Sequence, residues 1–186
     1  MNKIFLDTEF TGLHQNTTLI SIGLVSECGK TFYAEFYDYD KSQVDEWIQQ
    51  NIITNLRFVD ETDGEVGHTD AIDAHDFTMT GDTFLVKEYL SVWMAQFGDV
   101  EIWSDCLAYD WILFRNIFSN DLPENIYYIP FDLCTLLKVK RIDPDISREL
   151  FAFGDDLLDE TYKHNALWDA EIIKKCYNKV IEGVQE

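Results

Sequence analysis

At 186 residues the chain is long enough to bury one sizeable core and short for two ordinary domains, so a single domain over 1–186 is expected. Its formal net charge of -21 argues against a large footprint on duplex nucleic acid held by the phosphates, although bound cations can invert the sign of a local site. Apolar residues make up 46% of the chain and prolines number only 3, which is the composition of a globular fold and excludes a disordered one.

Lys3 to Leu6 is a short apolar-rich run ending at Asp7. Thr18 to Val25 and Thr31 to Tyr37 are rich in β-branched and aromatic residues, with Cys28-Gly29-Lys30 between them, so the chain opens with three predicted strands. Within Gln43 to Ile52, the residues Val44, Trp47, Ile48 and Ile52 recur at helical spacing. From Asn55 to Asp82 the chain is crowded with Asp, Glu, Thr, Gly and His and keeps no long period, which reads as an acidic loop or insertion around 55–82. Helical spacing returns from Thr83 to Phe97, with Gly98 placed to stop it. Val100 to Ser104 reads as a strand, Tyr109 to Phe118 as a helix, Tyr127 to Phe131 as a strand and Leu133 to Val139 as a helix. Ala166 to Ile181 places Ala166, Ala170, Ile173, Cys176, Tyr177 and Val180 along one face behind Asn165, a residue suited to an N-cap. Three strands followed by alternating helices and strands predict an α/β sandwich whose opening strands form an antiparallel meander.

The four cysteines, Cys28, Cys106, Cys134 and Cys176, are scattered and show no CxxC spacing. With no basic leader before the first strand pattern, reduced thiols and a cytoplasmic location are expected. No apolar run approaches the roughly 20 residues needed to span a bilayer.

Three segments carry chemistry. In Phe5-Leu6-Asp7-Thr8-Glu9-Phe10 two carboxylates stand two positions apart on a predicted strand, which projects both onto one face of the sheet. Such a pair is costly unless solvated, paired with bases or bound to metal, and little base lies nearby. In Trp103-Ser104-Asp105-Cys106-Leu107-Ala108-Tyr109-Asp110-Trp111 a strand runs out and a helix begins, so either Asp105 or Asp110 can face a cleft, while an acid at a helix start also serves the helix dipole. In His164-Asn165-Ala166-Leu167-Trp168-Asp169-Ala170 a histidine stands five residues before an aspartate. On one continuous helix that offset would point the two about 140° apart. His164 is therefore expected ahead of the helix, beside Asp169 in its first turns.

Together and in this order, the three segments resemble the motifs of the DEDDh exonucleases, members of the ribonuclease-H-like superfamily. Asp7-Thr8-Glu9-Phe10-Thr11-Gly12-Leu13 is similar to the first motif, the stretch ending in Asp110 to the second, and His164 through Asp169 to the third, so that the resemblance spans nearly the whole chain. The second departs from the pattern where Asp105 stands, a position often held by Asn in the family; Asp110 is preferred as its aspartate and Asp105 is the reserve. The short length, the Asp-Thr-Glu-Phe opening and the Tyr-Asp-Trp stretch look most like a compact bacterial and phage group of 3′→5′ exoribonucleases.

The resemblance implies a ribonuclease-H-like mixed five-stranded sheet, its first three strands antiparallel, flanked by helices. It implies two divalent ions, Mg²⁺ or Mn²⁺, held by Asp7, Glu9, Asp110 and Asp169, with His164 as general base. It places Phe10, Thr11, Gly12 and Leu13 around the 3′-terminal nucleotide, with Leu13 wedged between the last bases and backbone groups near Phe10 and Thr11 against the sugar. Trp111 and Trp168 each neighbour an expected ligand, and Trp111 is a candidate for substrate contact. The implied activity is hydrolysis of single-stranded RNA or 3′ overhangs from the 3′ end to nucleoside 5′-monophosphates, and a homodimer would be in keeping with it. Two rival readings remain: a 3′→5′ exodeoxyribonuclease using the same residues, and a non-catalytic ribonuclease-H-like interaction module. His14, His68 and His75 are not needed by the scheme.

Overall fold

The computed structural model of the chain describes residues 1–58, 69–71, 76–119, 121–154 and 164–183. Its strands are β1 (Asn2–Phe10), β2 (Leu19–Ser26), β3 (Thr31–Phe36), β4 (Thr69–Ala71), β5 (Asp76–Gly81), β6 (Val100–Ser104) and β7 (Phe131–Asp132), and its α-helices are α1 (Glu46–Asn51), α2 (Thr83–Met94), α3 (Leu107–Phe118), α4 (Leu133–Val139), α5 (Arg148–Phe153) and α6 (Ala166–Glu182). The strands form one sheet in the order β4-β5-β3-β2-β1-β6-β7. β1, β2 and β3 are the antiparallel meander that the sequence predicts. β6 lies parallel to β1, β7 parallel to β6 and β5 parallel to β3, while β4 runs antiparallel to β5. This is the mixed, helix-flanked sheet of the ribonuclease-H-like class.

The sheet has seven strands where five are expected. The difference lies in the segment read as an acidic loop, which contributes β4 and β5. Met79 of β5 is fully buried against the main core, so the strand is held by packing that the surrounding acidic composition conceals. His68 and His75 lie outside the described residues. Near the other edge, the strand expected over Tyr127 to Phe131 shrinks to Phe131–Asp132 and an isolated bridge from Ile126 to Val100. Pro130, lacking an N–H, interrupts the ladder between them.

Successive residues of a strand face opposite sides, and the two cores follow from that alternation. Ile4, Leu6, Ile22, Leu24, Phe32 and Ala34 pack on one face against Val86, Leu90 and Trp93 of α2 and Trp111 and Phe114 of α3. Phe5 points the other way, into a second cluster with Leu133 and Leu137 of α4 and Ile172, Ile173 and Cys176 of α6. Helix α3 therefore covers one face of β1 and α6 the other. All four cysteines are free thiols. Among the described residues no helix is long and apolar enough to cross a membrane.

Candidate active site

The site is assembled at the C-terminal end of β1. Asp7 and Glu9 share a face there, and the register with β2 shifts between Glu9 and Phe10, an irregularity that ends regular pairing just past the second carboxylate. Gly23 of β2 stands opposite Asp7. A Cβ at Gly23 would come within 2.2 Å of the Ala166 carbonyl oxygen, so the first turn of α6 rests directly on the strand at this point. Asn165 caps that helix by accepting the Trp168 N–H at 3.2 Å, and Asp169 lies in its first turn. The close approach brings carboxylate oxygens of Asp7, Glu9 and Asp169 within 4.8 Å of one another. His164 precedes the cap, as the spacing predicts, with φ at 60°, and its ring meets Trp47 of α1 edge-on with centroids 5.1 Å apart.

Asp110 arrives from the other face. Thr8, between the two carboxylates on β1 but facing α3, donates its hydroxyl to Asp110 Oδ1 at 2.6 Å, and Ser104 at the end of β6 donates to Oδ2 at 2.5 Å. Each such bond to a charged acceptor is worth about 1.5–3 kcal/mol. Together they fix both oxygens of a side chain that is fully buried. Asp105 lies on the loop just before, and carboxylate oxygens of Asp7, Asp105 and Asp110 also fall within 4.8 Å of one another. Arg148 of α5 donates its Nε–H to Asp105 Oδ2 at 2.9 Å. Two triads of acids thus share Asp7, and both aspartates of the second segment stand in the cluster.

Burial first, then the neighbouring charges of Asp110, Asp169, Glu9 and Asp105, holds the Asp7 carboxyl well above the ordinary carboxylate range. Burial, with Asp169 and Asp110, pushes Glu9 up to about 8. Asp110 rises to about 7 because burial outweighs the hydroxyls of Ser104 and Thr8. Asp105 is raised too, burial exceeding the opposing pull of Arg148. Like charges this close cannot all ionise unless a cation enters among them, and carboxylate oxygens are the donors that hard divalent cations prefer.

The family model of the 3'-5' exoribonuclease Rv2179c-like domain matches residues 2–181. The chain belongs to this exoribonuclease family. The match runs from the start of β1 to the last turn of α6, so all three motif segments fall inside it. No curated protein matches the chain by sequence.

In this exoribonuclease domain the residues expected around the substrate separate into two groups. Phe10 stacks on Tyr109 with centroids 5.1 Å apart and planes 11° from parallel, and Leu13 is 75% exposed. Gly12 takes φ at 135°, a conformation that side-chain-bearing residues rarely adopt, and so turns the chain out of β1. Thr11 points inward: its N–H bonds the Thr18 carbonyl at 3.0 Å and its hydroxyl accepts the Thr18 N–H at 2.8 Å, so both groups shape the loop. Trp111, expected at the substrate, is 8% exposed and packs in the main core, stacked on Phe114. The reason is helical phase, since Trp111 and Phe114 fall on the sheet-facing side of α3 while Tyr109 and Ile112 do not. Trp168 is half-buried and stacks on Phe153.

Thr8, Ser104, Arg148 and Trp47 were not anticipated as parts of the site. Thr8 carried a weak signal, a polar residue on the core-facing side of an apolar strand. Arg148 carried none, because only the fold brings it to Asp105.

Proposed function

We propose that this domain shortens single-stranded RNA from the 3′ end by a DEDDh-type, two-metal-ion hydrolysis that releases nucleoside 5′-monophosphates. The observation that carries the reading is the pair of carboxylate triads sharing Asp7. Asp7, Glu9 and Asp169 would hold one Mg²⁺ or Mn²⁺ ion, and Asp7 with Asp110 the other, with Asp105 kept beside the second by Arg148. When bound, such ions supply Lewis-acid stabilisation of the charge that develops on the attacking and leaving oxygens.

The side chains carry out the remaining steps. His164, ahead of the α6 cap and braced by Trp47, takes the proton of the attacking water. The water oxygen bonds to phosphorus as the bond from phosphorus to the upstream 3′-oxygen breaks, and that oxygen is protonated from solvent. Asp110, with both oxygens tied to Thr8 and Ser104, keeps a fixed position through the cycle. The exposed Leu13 and the stacked Phe10–Tyr109 pair offer the apolar surface against which terminal bases can rest. A net charge of -21 is compatible with a substrate held by its end and not along a long duplex.

The test is digestion of 5′-labelled single-stranded RNA and DNA of one sequence, with Mg²⁺, with Mn²⁺ and with chelator. A ladder shortening from the 3′ end is expected, dependent on metal, faster on RNA and slowed about 10²–10⁴-fold in His164→Ala. No shortening of either strand, or full turnover by the variant, would sink the reading.

A further inference from the structure

Among the described residues two buried side-chain polar atoms meet no hydrogen-bond partner, Ser21 Oγ and Trp93 Nε1. Trp93 lies in the main core, between the rings of Phe32 and Phe97. Ser21 is fully buried on the opposite face of the sheet, in the row that carries the acids. A buried hydroxyl without a bond costs stability, so such a group in a folded protein calls for a partner that the fold alone does not supply.

In the antiparallel ladders Ser21 stands directly opposite Glu9 of β1 on one side and Glu35 of β3 on the other. Directly opposed residues put their Cβ atoms roughly 4.5–5.5 Å apart on one face of the sheet. A glutamate can carry a carboxylate oxygen across that gap by rotation about its own side-chain bonds. Both glutamates are therefore within reach of the one Ser21 proton, and their existing bonds decide between them. Glu35 already accepts from the Tyr33 hydroxyl and from the N–H groups of Arg57 and Phe58, which fills most of its roughly four lone-pair sites. Glu9 accepts from no donor among the described residues. Ser21 lies close enough to Tyr33 to favour its ionised form, yet the Tyr33 proton is committed to Glu35 and Ser21 Oγ reaches hydrogen-bond geometry with neither. Asp7, the other strand carboxylate of the first triad, faces Gly23, which has no side chain to offer it.

We propose that Ser21 is a positioning residue of the metal centre, its hydroxyl donating to the Glu9 carboxylate oxygen that faces away from the cation. The assignment rests on the metal-dependent reading above and adds to it the group that aims one of the ligands. A carboxylate that ligates through one oxygen keeps lone pairs on the other, and a donor on the neighbouring strand that holds the outer oxygen orients the inner one. The donor is itself well fixed, because β2 lies between β1 and β3 in the interior of the sheet, so little freedom is lost when the bond forms.

The test is Mn²⁺ affinity, read from the electron paramagnetic resonance signal of the free ion, together with thermal melting in chelator, for the wild-type protein, Ser21→Ala and Tyr33→Phe. Ser21→Ala should bind Mn²⁺ on the order of tenfold more weakly. Its melting temperature in chelator should stay level or rise, because an unpaired buried hydroxyl is gone. Tyr33→Phe removes the hydroxyl on the other side of Ser21 and should hold Mn²⁺ within about twofold of the wild-type affinity. Equal affinity in the wild-type protein and Ser21→Ala overturns the assignment alone. A lower melting temperature of Ser21→Ala in chelator also overturns it, since the hydroxyl would then have its partner in the fold itself. So does an equal loss of affinity in Tyr33→Phe, which would make the effect one of the sheet as a whole. Absence of Mn²⁺ binding by the wild-type protein sinks the metal-dependent reading, and this assignment with it.

Discussion

Glu9 of β1 and Glu35 of β3 flank Ser21 of β2 in one row of the sheet, and both are buried. Burial raises both carboxyls above their ordinary value. Glu35 accepts hydrogen bonds from the Tyr33 hydroxyl at 2.7 Å and from the backbone N–H groups of Arg57 and Phe58 at 2.5 and 3.1 Å. The Arg57 guanidinium lies over the Tyr33 ring at 5.1 Å. Glu9 faces Asp169 and Asp110, and among the described residues no donor is bonded to it or to Asp7. Depth alone therefore does not mark a reactive acid. One carboxylate is compensated by its own fold and ties a loop to the sheet; the other is left in a cluster that only protons or cations can neutralise.

Asp7→Asn breaks the contrast most severely, because Asp7 belongs to both triads. Turnover should fall by at least about 10³-fold, about 4 kcal/mol in barrier. The melting temperature in chelator should rise as a repelling charge is lost. A variant that loses activity and also melts lower without metal would count against the cluster as a charge-strained site.

Between the two acids' strands, Gly23 stands opposite both Asp7 and Tyr33. Gly23→Ala would drive a methyl into the Ala166 backbone and push α6, with Asp169, away from Asp7. A stability loss of about 1–3 kcal/mol is expected from the overpacking, together with weaker activation by Mg²⁺; denaturant melts and a metal titration measure the two. Unchanged metal activation would show that α6 does not depend on this contact.

Glu35→Gln probes the other half of the comparison. Denaturation should show a loss of about 1–3 kcal/mol, with kcat within a few-fold of the wild-type value. A large fall in kcat at normal stability would move Glu35 into the reacting site.

The smallest effect is the pH slope. Folded Glu9 and Asp110 stand at about 8 and about 7, above their ordinary values, so the folded state binds more protons than the unfolded one between those limits. Their contribution is full at pH below the ordinary carboxylate range and is lost as pH rises through about 8. Melting temperature in chelator should therefore decline from weakly acid to weakly alkaline pH, and Mg²⁺ should flatten the decline by replacing the protons. A slope indifferent to Mg²⁺ would separate the cluster from metal binding.

Where the sequence was legible, the reason was local periodicity. β6 and α4 run over the residues predicted for them, and α6 begins behind Asn165 because an apolar stripe and a cap are both written within a few turns. β5 escaped notice because its support is Phe32 and Ala34 of β3, remote in sequence, while its neighbours in the chain are acidic. Trp111 turns into the main core although it adjoins Asp110, because consecutive residues of a helix point about 100° apart.

The amino-acid sequence by itself determined that Asp7 and Glu9 share one face of a strand and that His164 stands ahead of the helix bearing Asp169. Both follow from the repeat of a single element. Only the tertiary structure decided that Asp110 is gripped by Thr8 and Ser104, that Arg148 pairs with Asp105, and that Gly23 lets α6 come close enough to complete the first triad. Those contacts join residues far apart in the chain, and their existence depends on which faces pack together once the core is buried.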